Sequence, residues 1–246
     1  MFSLIHGNRQ DVLVRLLGHR LKADPPALFA EEVVLVQSEA MERWLRLALA
    51  EELGIAAQLR FPFPAGYIWE LFGAVLPDVP KTSPFSGESL HWRLLRLLGQ
   101  EWKGEAFAPL HRYLEKNDVA RRDSLAVKLA ATFERYLAYR PDWLSDWSEG
   151  RLRGLGPNEG WQAALWRTLV AELPQIPEAH PRQAFFAALE RDSSLLQRLP
   201  KRISLFGIGA MPPPTFAVFR ELGRYLDVTL YLLNPCREHW GQIVDA

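Results

Sequence analysis

The amino-acid sequence predicts an α/β fold, in which a parallel sheet is flanked by helices and an all-helical insertion separates the early strands from the late ones. Residues 33–36 form a continuous apolar run that is rich in β-branched residues and too short for a helix, and residues 203–208 and 228–233 are also predicted to be strands. Segments with helical spacing follow the first two of these strands. Between residues 89 and 199 the apolar spacing is almost wholly helical, so the sequence indicates two regions of different architecture.

The first strand and helix are predicted at the start of the sequence. Residues 2–6 are apolar, Gly7 and Asn8 turn the chain, and a helical stripe follows for which Asn8 is the predicted N-cap. Nucleotide-binding α/β proteins hold phosphate at such a turn. This turn has one glycine, no following lysine and no Ser or Thr for magnesium, so it lacks the groups that bind a nucleoside triphosphate. Arg9 is a candidate phosphate ligand, and the alternative is an exposed arginine in the first helical turn.

The next strand–helix pairs carry the densest pattern. After the strand at 33–36, Ser38 is the predicted N-cap of a helix that ends at Gly54. The predicted buried stripe of this helix consists of Met41, Trp44, Leu45, Ala48, Leu49 and Leu53. Residues 57–61 are predicted to form a strand that two prolines stop, and residues 65–76 the helix after it.

A segment rich in proline, serine and glycine at residues 77–87 marks a change of composition. About six helices are predicted beyond it, before the α/β pattern returns. We therefore predict one α/β domain from residues 1–84 and 200–246, with residues 85–199 as a helical insertion subdomain. This arrangement lets early and late strands join one parallel sheet.

Composition excludes several classes of protein. The 246 residues contain 29 basic and 29 acidic side chains, so no overall field attracts a polyanion, and any contact with nucleic acid must be local. A single cysteine, Cys236, excludes a disulfide framework and a multi-cysteine zinc site, and it suits a reducing cytosol. The sequence has no export signal and no apolar run of about 18 residues, so we expect a cytoplasmic chain without membrane contact.

Catalytic motifs are missing from the sequence. The six histidines are scattered, and neither an HExxH nor a GxSxG motif occurs. Glu101 and Lys103 form the one ExK pattern considered for a metal nuclease, but they lie in a helical region without an acidic strand end. The strand at 203–208 ends without the acidic residue that holds magnesium in P-loop ATPases. We therefore expect no intrinsic enzymatic activity and no cofactor in this chain.

Residue types that read single-stranded nucleic acid cluster near the carboxyl ends of the early strands. They are Gln37, Glu39, Arg43, Phe63 and Trp69. Arginine donates in a fork to guanine, glutamine both donates and accepts, and exposed aromatic rings stack on unpaired bases. In the alternative interpretation the two aromatic residues belong to the core, and Glu39 with Arg43 forms an i,i+4 pair on a solvated helix.

The sequence resembles the N-terminal part of the RecC family, the gamma chains of exodeoxyribonuclease V. The resemblance rests on seven separated segments that occur in the order IHGNRQDVL, VVLVQSEAMERWL, GIAAQLRFPFPAGYIWELF, YLAYRPDWL, WQAALW, LFGIGAMPPP and LLNPCREHWG. They span nearly the whole sequence, and members of the family continue far beyond this length. We therefore expect this chain to be a fragment of a longer protein.

This resemblance implies a superfamily 1 helicase-like α/β domain that has lost its ATPase motifs. It implies RecB-like and RecD-like partner subunits, the beta and alpha chains of the same complex, which use ATP and magnesium. It also implies a part in double-strand-break repair and homologous recombination, in which the chain guides single-stranded DNA leaving the motor and reads the recombination hotspot Chi.

The resemblance places hotspot-reading positions at Gln37, Glu39, Arg43, Phe63, Trp69 and Arg140. Two of these depart from the family pattern, which has an uncharged residue at the position of Glu39 and an amide at that of Arg43. The hotspot sequence read here is therefore expected to differ, or reading to be lost. The competing hypothesis is a protein-docking scaffold without base reading, and the missing catalytic groups disfavour an independent small-molecule enzyme.

Overall fold

The computed structural model describes residues 1–27, 30–114, 118–173 and 181–236. The chain forms two compact units, which are Met1–Ala74 with the described residues from Asp192 onward, and Val75–Arg191. Whether these units fold as the separate domains predicted from the sequence stays a prediction. The last positions of the final RecC-like segment, residues 237–241, lie outside the described residues.

A parallel sheet forms the centre of the first unit. Within the described ranges its strands are β1 Phe2–Gly7, β2 Glu32–Leu35, β3 Leu59–Arg60, β4 Arg202–Phe206 and β5 Asp227–Leu233. Their order in the sheet is β1-β5-β4-β2-β3, and every neighbouring pair is parallel. Leu35 of β2 lies opposite Leu205 of β4. The prediction that early and late strands share one parallel sheet is therefore confirmed.

Helices flank the sheet and make up the regular structure described in the second unit. They are α1 Gln10–Ala23, α2 Glu39–Leu53, α3 Pro64–Val75, α4 Gly87–Leu97, α5 Ala108–Leu114, α6 Val119–Tyr139, α7 Pro141–Ser148, α8 Glu159–Ala171, α9 Arg182–Arg191 and α10 Pro213–Leu222. Short 3-10 helices occur at Glu105–Phe107 and Ser193–Arg198. Among the helices of the described residues, none combines the length and the apolar character needed to cross a membrane.

The ends of α2 lie where the sequence predicts them. Ser38 Oγ accepts a hydrogen bond from Met41 N at 3.2 Å, which satisfies one of the free N–H groups at the helix start. Gly54 ends the helix in a left-handed conformation with φ +83°. Leu45 and Leu49 are fully buried, but Trp44 is 38% exposed and is not a core residue as predicted. Trp44 lies at the edge of the apolar stripe, where periodicity alone does not determine burial.

Two further local predictions were wrong in detail. The strand predicted at residues 57–61 is limited to β3, because Gln58 has φ +57° and leaves the extended conformation. The N-cap of α1 is Arg9 rather than Asn8, and its side chain makes no capping hydrogen bond. The Arg9 guanidinium instead pairs with Asp11 at 2.7 Å.

Strands β2 and β4 are buried along their whole length, as expected for parallel strands covered on both faces. An ion pair joins the buried first residues of these two strands. Arg202 donates to both carboxylate oxygens of Glu32 at 2.8 Å, and also to Asp24 Oδ2 at 2.8 Å. Arg202 and Glu32 are 8% and 4% exposed, so this pair ties β4 to β2 inside the protein at the amino end of the sheet.

An aromatic core fills the second unit. Trp166 of α8 is fully buried and lies with ring centroids 5.4 Å from Phe85 and 5.6 Å from Phe133. Trp147 of α7 is also buried and contacts the ring of Tyr136. Helices from different parts of this unit therefore meet on one set of rings.

A buried carboxylate fixes the loop before α8. Glu159 accepts hydrogen bonds from Trp147 Nε1 at 2.8 Å, Arg153 N at 2.7 Å and Leu155 N at 2.8 Å. Burial alone would raise the pKa of the Glu159 carboxyl, but these hydrogen bonds outweigh burial and lower its pKa below the ordinary 4.5. The ionised form of Glu159 therefore stabilises the fold.

Replacing Glu159 by glutamine is expected to lower the free energy of unfolding at neutral pH by about 1–3 kcal/mol, because the amide accepts fewer hydrogen bonds than the carboxylate. A carboxyl with a lowered pKa contributes stability above its ordinary pKa, and this contribution is lost as the pH falls through the folded-state value. The difference between the two proteins should therefore shrink in acid. Urea unfolding at several pH values measures it.

The matched control is Glu149→Gln, which removes an exposed carboxylate that pairs with Arg151. This change is expected to alter stability by less than about 1 kcal/mol. An equal effect of the two substitutions at neutral pH would contradict the role assigned to Glu159.

Candidate functional site

The carboxyl ends of the five parallel strands meet at one side of the sheet. We call this side the carboxyl edge, and it comprises residues 7–10, 36–39, 61–63, 207–211 and 234–236. In open α/β sheets, ligands bind in the crevice outside the carboxyl ends of the strands. Of the six predicted site residues, Gln37, Glu39 and Phe63 lie at this edge.

Gln37 and Phe63 occupy neighbouring positions there. Val36 N donates to Pro62 O at 3.2 Å, which joins the segments that follow β2 and β3. Gln37 and Phe63 are the next residue of each segment, and both are exposed. Phe63 is 48% exposed and is therefore not the core residue of the alternative interpretation. The structure thus places two exposed residues, one with an amide and one with an aromatic ring, on adjacent segments of this edge.

Glu39 and Arg43 lie one turn apart at the start of α2, and both are exposed. The i,i+4 pair considered between them is not formed. Glu42 instead pairs with Arg46 at 2.9 Å, and the Arg46 guanidinium lies 4.9 Å from the centre of the Phe61 ring. Within the described part of the chain, Arg43 makes no hydrogen bond or ion pair. Its guanidinium is therefore available to a ligand.

Trp69 differs from the other aromatic candidate because it is partly buried on α3. Its ring meets Phe72 edge-on, with centroids 6.4 Å apart, and Phe72 belongs to the buried core. Trp69 is therefore held by packing within its own helix. This arrangement suits a residue that supports a binding surface.

Arg140 belongs to the second unit, where it lies between α6 and α7. Its guanidinium donates to both oxygens of Asp142 at 3.2 Å and lies 4.2 Å from the centre of the Trp143 ring. The hydrogen bond from Arg140 lowers the pKa of Asp142, with a further contribution from Arg153. Arg140 is thus fixed by a carboxylate and a ring, while part of its side chain stays exposed.

The candidate phosphate ligand Arg9 has its charge compensated. Its hydrogen bond to Asp11, together with that from Arg15, lowers the pKa of Asp11 to about 2. Arg9 is thus an exposed arginine paired with a neighbouring carboxylate, as in the alternative interpretation.

Met41 joins three parts of the carboxyl edge. Gln10 Nε2 contacts Met41 Sδ at 3.4 Å. Gly207, after β4, has φ +67°, and a Cβ there would lie 2.9 Å from Met41 Cε. Glycine is favoured at this position because φ +67° is a conformation that residues with a side chain rarely adopt, and the flexible end of Met41 occupies the space beside it.

Sequence reasoning missed one residue of this surface. Trp44 was assigned to the buried stripe of α2, yet it is partly exposed next to Arg43 and its ring contacts Phe206. The available signal was its position at the stripe's edge, one residue before the fully buried Leu45. Among the described residues, no group of three His, Cys, Asp or Glu side chains is placed to hold a metal ion.

Comparison with known proteins identifies the family. The family model described as RecC, N-terminal domain matches residues 2–246. The chain is 40% identical over 255 residues to the RecBCD enzyme subunit RecC of Escherichia coli (strain K12) and 34% identical over 272 residues to that of Haemophilus influenzae. It is 32% identical over 254 residues to the RecBCD enzyme subunit RecC of Mycobacterium tuberculosis (strain H37Rv).

These alignments cover 100%, 100% and 96% of this chain, respectively. They cover 22%, 24% and 22% of the relatives, so the chain spans about a quarter of the length of the proteins it matches. The likeness therefore extends over essentially all of this sequence but only part of each relative. The chain belongs to the RecC N-terminal domain family.

Proposed function

We propose that this chain is the N-terminal part of a RecC subunit, and that it serves a RecBCD-type enzyme in DNA repair and homologous recombination. Its relatives carry the name RecBCD enzyme subunit RecC, which supports this assignment. The partners are then RecB-like and RecD-like subunits that use ATP and magnesium. This chain contributes a helicase-like sheet without ATPase motifs, needs no cofactor and acts on single-stranded DNA in the bacterial cytoplasm.

Within that complex, the carboxyl edge and the adjoining start of α2 read the hotspot Chi in the single strand leaving the motor. The observation that carries this proposal is the exposed Arg43, which has no partner in the described residues and lies on the helix that follows Gln37. Arginine reads guanine through a fork of N–H donors, and Gln37 can both donate and accept at a base edge. Phe63 adds an exposed ring for stacking.

The neutral net charge of the chain favours such local contacts over a broad phosphate-binding surface. Glu39 accepts hydrogen bonds and so suits an amino group such as that of cytosine. Trp69 supports the surface through its packing on Phe72. Arg140 contacts the bases through the N–H groups that are not bonded to Asp142. Its guanidinium lies over the Trp143 ring, which fixes the plane of the group.

Replacing Arg43 by alanine in the complete complex is expected to weaken the hotspot response about tenfold or more while unwinding stays nearly unchanged. One good base contact contributes about 1–3 kcal/mol of discrimination, and the motor subunits drive unwinding. The hotspot sequence is first selected from a randomised DNA segment. The measurement then compares, on DNA that carries this hotspot, the hotspot response and the unwinding rate of each variant.

Arg46→Ala is the matched control because it removes another arginine from the same helix. The Arg46 guanidinium already pairs with Glu42 and lies over the Phe61 ring. This variant should keep the hotspot response. If Arg43→Ala reduced response and unwinding in equal proportion, or changed neither, the reading role of Arg43 would be wrong.

A protein-docking scaffold remains the second candidate function, and one observation favours it. Leu47 on the outer side of α2 is 68% exposed, and Ile55 beyond the end of the helix is exposed as well. Large exposed apolar side chains are typical of docking surfaces. If docking were the only role, Leu47→Ser would impair assembly with the partner subunits, and Arg43→Ala would leave the hotspot response intact.

A further inference from the structure

We propose that Trp44 is a base-stacking residue, on which an unpaired base of the single strand lies while Arg43 and Glu39 contact its edge. This inference rests on the proposed function, since it adds a residue to the same reading surface. Trp44 is not among the positions that the family resemblance assigns to hotspot reading.

The first support is the way the Trp44 ring is held. Its centroid lies 6.1 Å from that of Phe206 with an angle of 34° between the rings, and Phe206 stacks in turn on Tyr231 at 6.0 Å. Phe206 and Tyr231 are fully buried, whereas 38% of Trp44 is exposed. Trp44 is therefore the outer member of a fixed row of three rings. A ring held in this way loses little conformational freedom when a base stacks on it.

The second support is the position of Trp44 on α2. Ala40 lies three residues before Arg43 and four before Trp44, so it neighbours both on the helix surface. Side chains on a helix lean toward its start, which here adjoins the carboxyl edge. Arg43 and Trp44 therefore flank the small, exposed Ala40. We call this place the Ala40 notch.

The charges around the Ala40 notch favour a neutral base over a phosphate group as its occupant. Glu39 and Arg43 lie at the same end of the helix, so their opposite charges nearly cancel. Arg43 donates to a base edge, Glu39 accepts from an amino group, and the ring takes the flat face of the base. Trp44 Nε1 has no acceptor among the residues that the structure describes, so it can also donate.

The carboxylate of Glu39 argues against a protein partner at this place. Glutamate is depleted in protein–protein interfaces, whereas arginine and tryptophan are enriched there, so Glu39 is the residue of this surface that a protein partner would not favour. Leu47, one turn further along α2, lies outside the notch and serves as an internal control.

The test compares Trp44→Leu with Trp44→Phe in the complete complex. Leucine keeps an apolar contact with Phe206 but offers no ring, and phenylalanine keeps a ring. Stacking of one base contributes about 1–3 kcal/mol, so Trp44→Leu should weaken the hotspot response about 5- to 150-fold. Trp44→Phe should keep most of it, and unwinding should change in neither variant.

A second measurement locates the base directly. Single-stranded DNA with 5-iodouracil at successive hotspot positions is irradiated in the complex, and the crosslinked peptide is identified by mass spectrometry. One position should crosslink to the peptide containing Trp44, and Trp44→Leu should abolish this product. Thermal unfolding of each variant checks that the fold is kept, and Leu47→Ala should behave as the unchanged protein in both measurements.

The outcomes separate the two proposals. An unchanged response in Trp44→Leu beside an impaired Arg43→Ala would overturn the stacking role and leave the reading function standing. Unchanged responses in both variants would overturn the reading function. Loss of subunit assembly in both Trp44→Leu and Leu47→Ala would show that this side of α2 docks a protein, and the stacking role would be wrong. If Trp44→Leu did not fold, the unchanged protein would still provide a test, because absence of the Trp44 crosslink there would overturn the stacking role.

Discussion

Replacing Arg202 by alanine is expected to lower the free energy of unfolding by about 3–5 kcal/mol, because it leaves a buried carboxylate without its counter-charge. Glu32 is almost fully buried, and both of its carboxylate oxygens accept hydrogen bonds from Arg202. The pair joins two central strands, so the loss affects the sheet itself. Urea unfolding of the 246-residue chain, followed by circular dichroism, measures the change.

Two controls make this expectation specific. Arg46→Ala removes an arginine from an exposed pair and should cost less than about 1 kcal/mol. The double change of Arg202→Met with Glu32→Leu removes both charges and should recover most of the lost stability, since apolar replacement of a buried pair is often neutral. A double variant as unstable as Arg202→Ala would contradict this account.

Replacing Trp166 by alanine is expected to destabilise the second unit by about 3–5 kcal/mol, because it opens a cavity where several helices meet. The ring is fully buried between Phe85 and Phe133. Its Nε1 also donates to Leu144 O at 3.1 Å and to Ser148 Oγ at 3.0 Å. The substitution thus removes both packing and hydrogen bonds, and the same unfolding measurement detects the loss.

Trp92 provides the matched comparison in the same unit. It is 62% exposed on α4, so Trp92→Ala should change stability by no more than about 0.5 kcal/mol. Trp166→Phe keeps most of the ring volume and should lie between the two. If both alanine variants lost similar stability, Trp166 would not be the centre of this core.

The parts of the fold that local sequence determines were predicted well. The runs that became β2 and β4 are apolar throughout most of their length, as strands covered on both faces require. Ser38 and Gly54 mark the ends of α2 because capping depends on residues close in sequence. The left-handed conformation of Gln58, which shortens β3, had no such local signal.

Features that depend on strand order could not be predicted from the sequence. Arg202 and Glu32 are 170 positions apart, and their pairing requires β4 to lie beside β2. The neighbouring positions of Gln37 and Phe63 followed from consecutive parallel strands and were therefore predictable. The unpaired state of Arg43 was not, because the choice of Glu42 and Arg46 as partners depends on side-chain conformations.

The order of the strands also bears on the synthesis of the protein. β1 and β2, the first two strands made, are not neighbours in the sheet, because the last two strands lie between them. Phe2 pairs with Val228, so β1 cannot join the sheet until residue 228 has left the ribosome. The second unit, residues 75–191, is contiguous in sequence and needs no such delay. During translation the second unit can therefore fold before the sheet is complete, and β1 stays without its partner until β5 has been made.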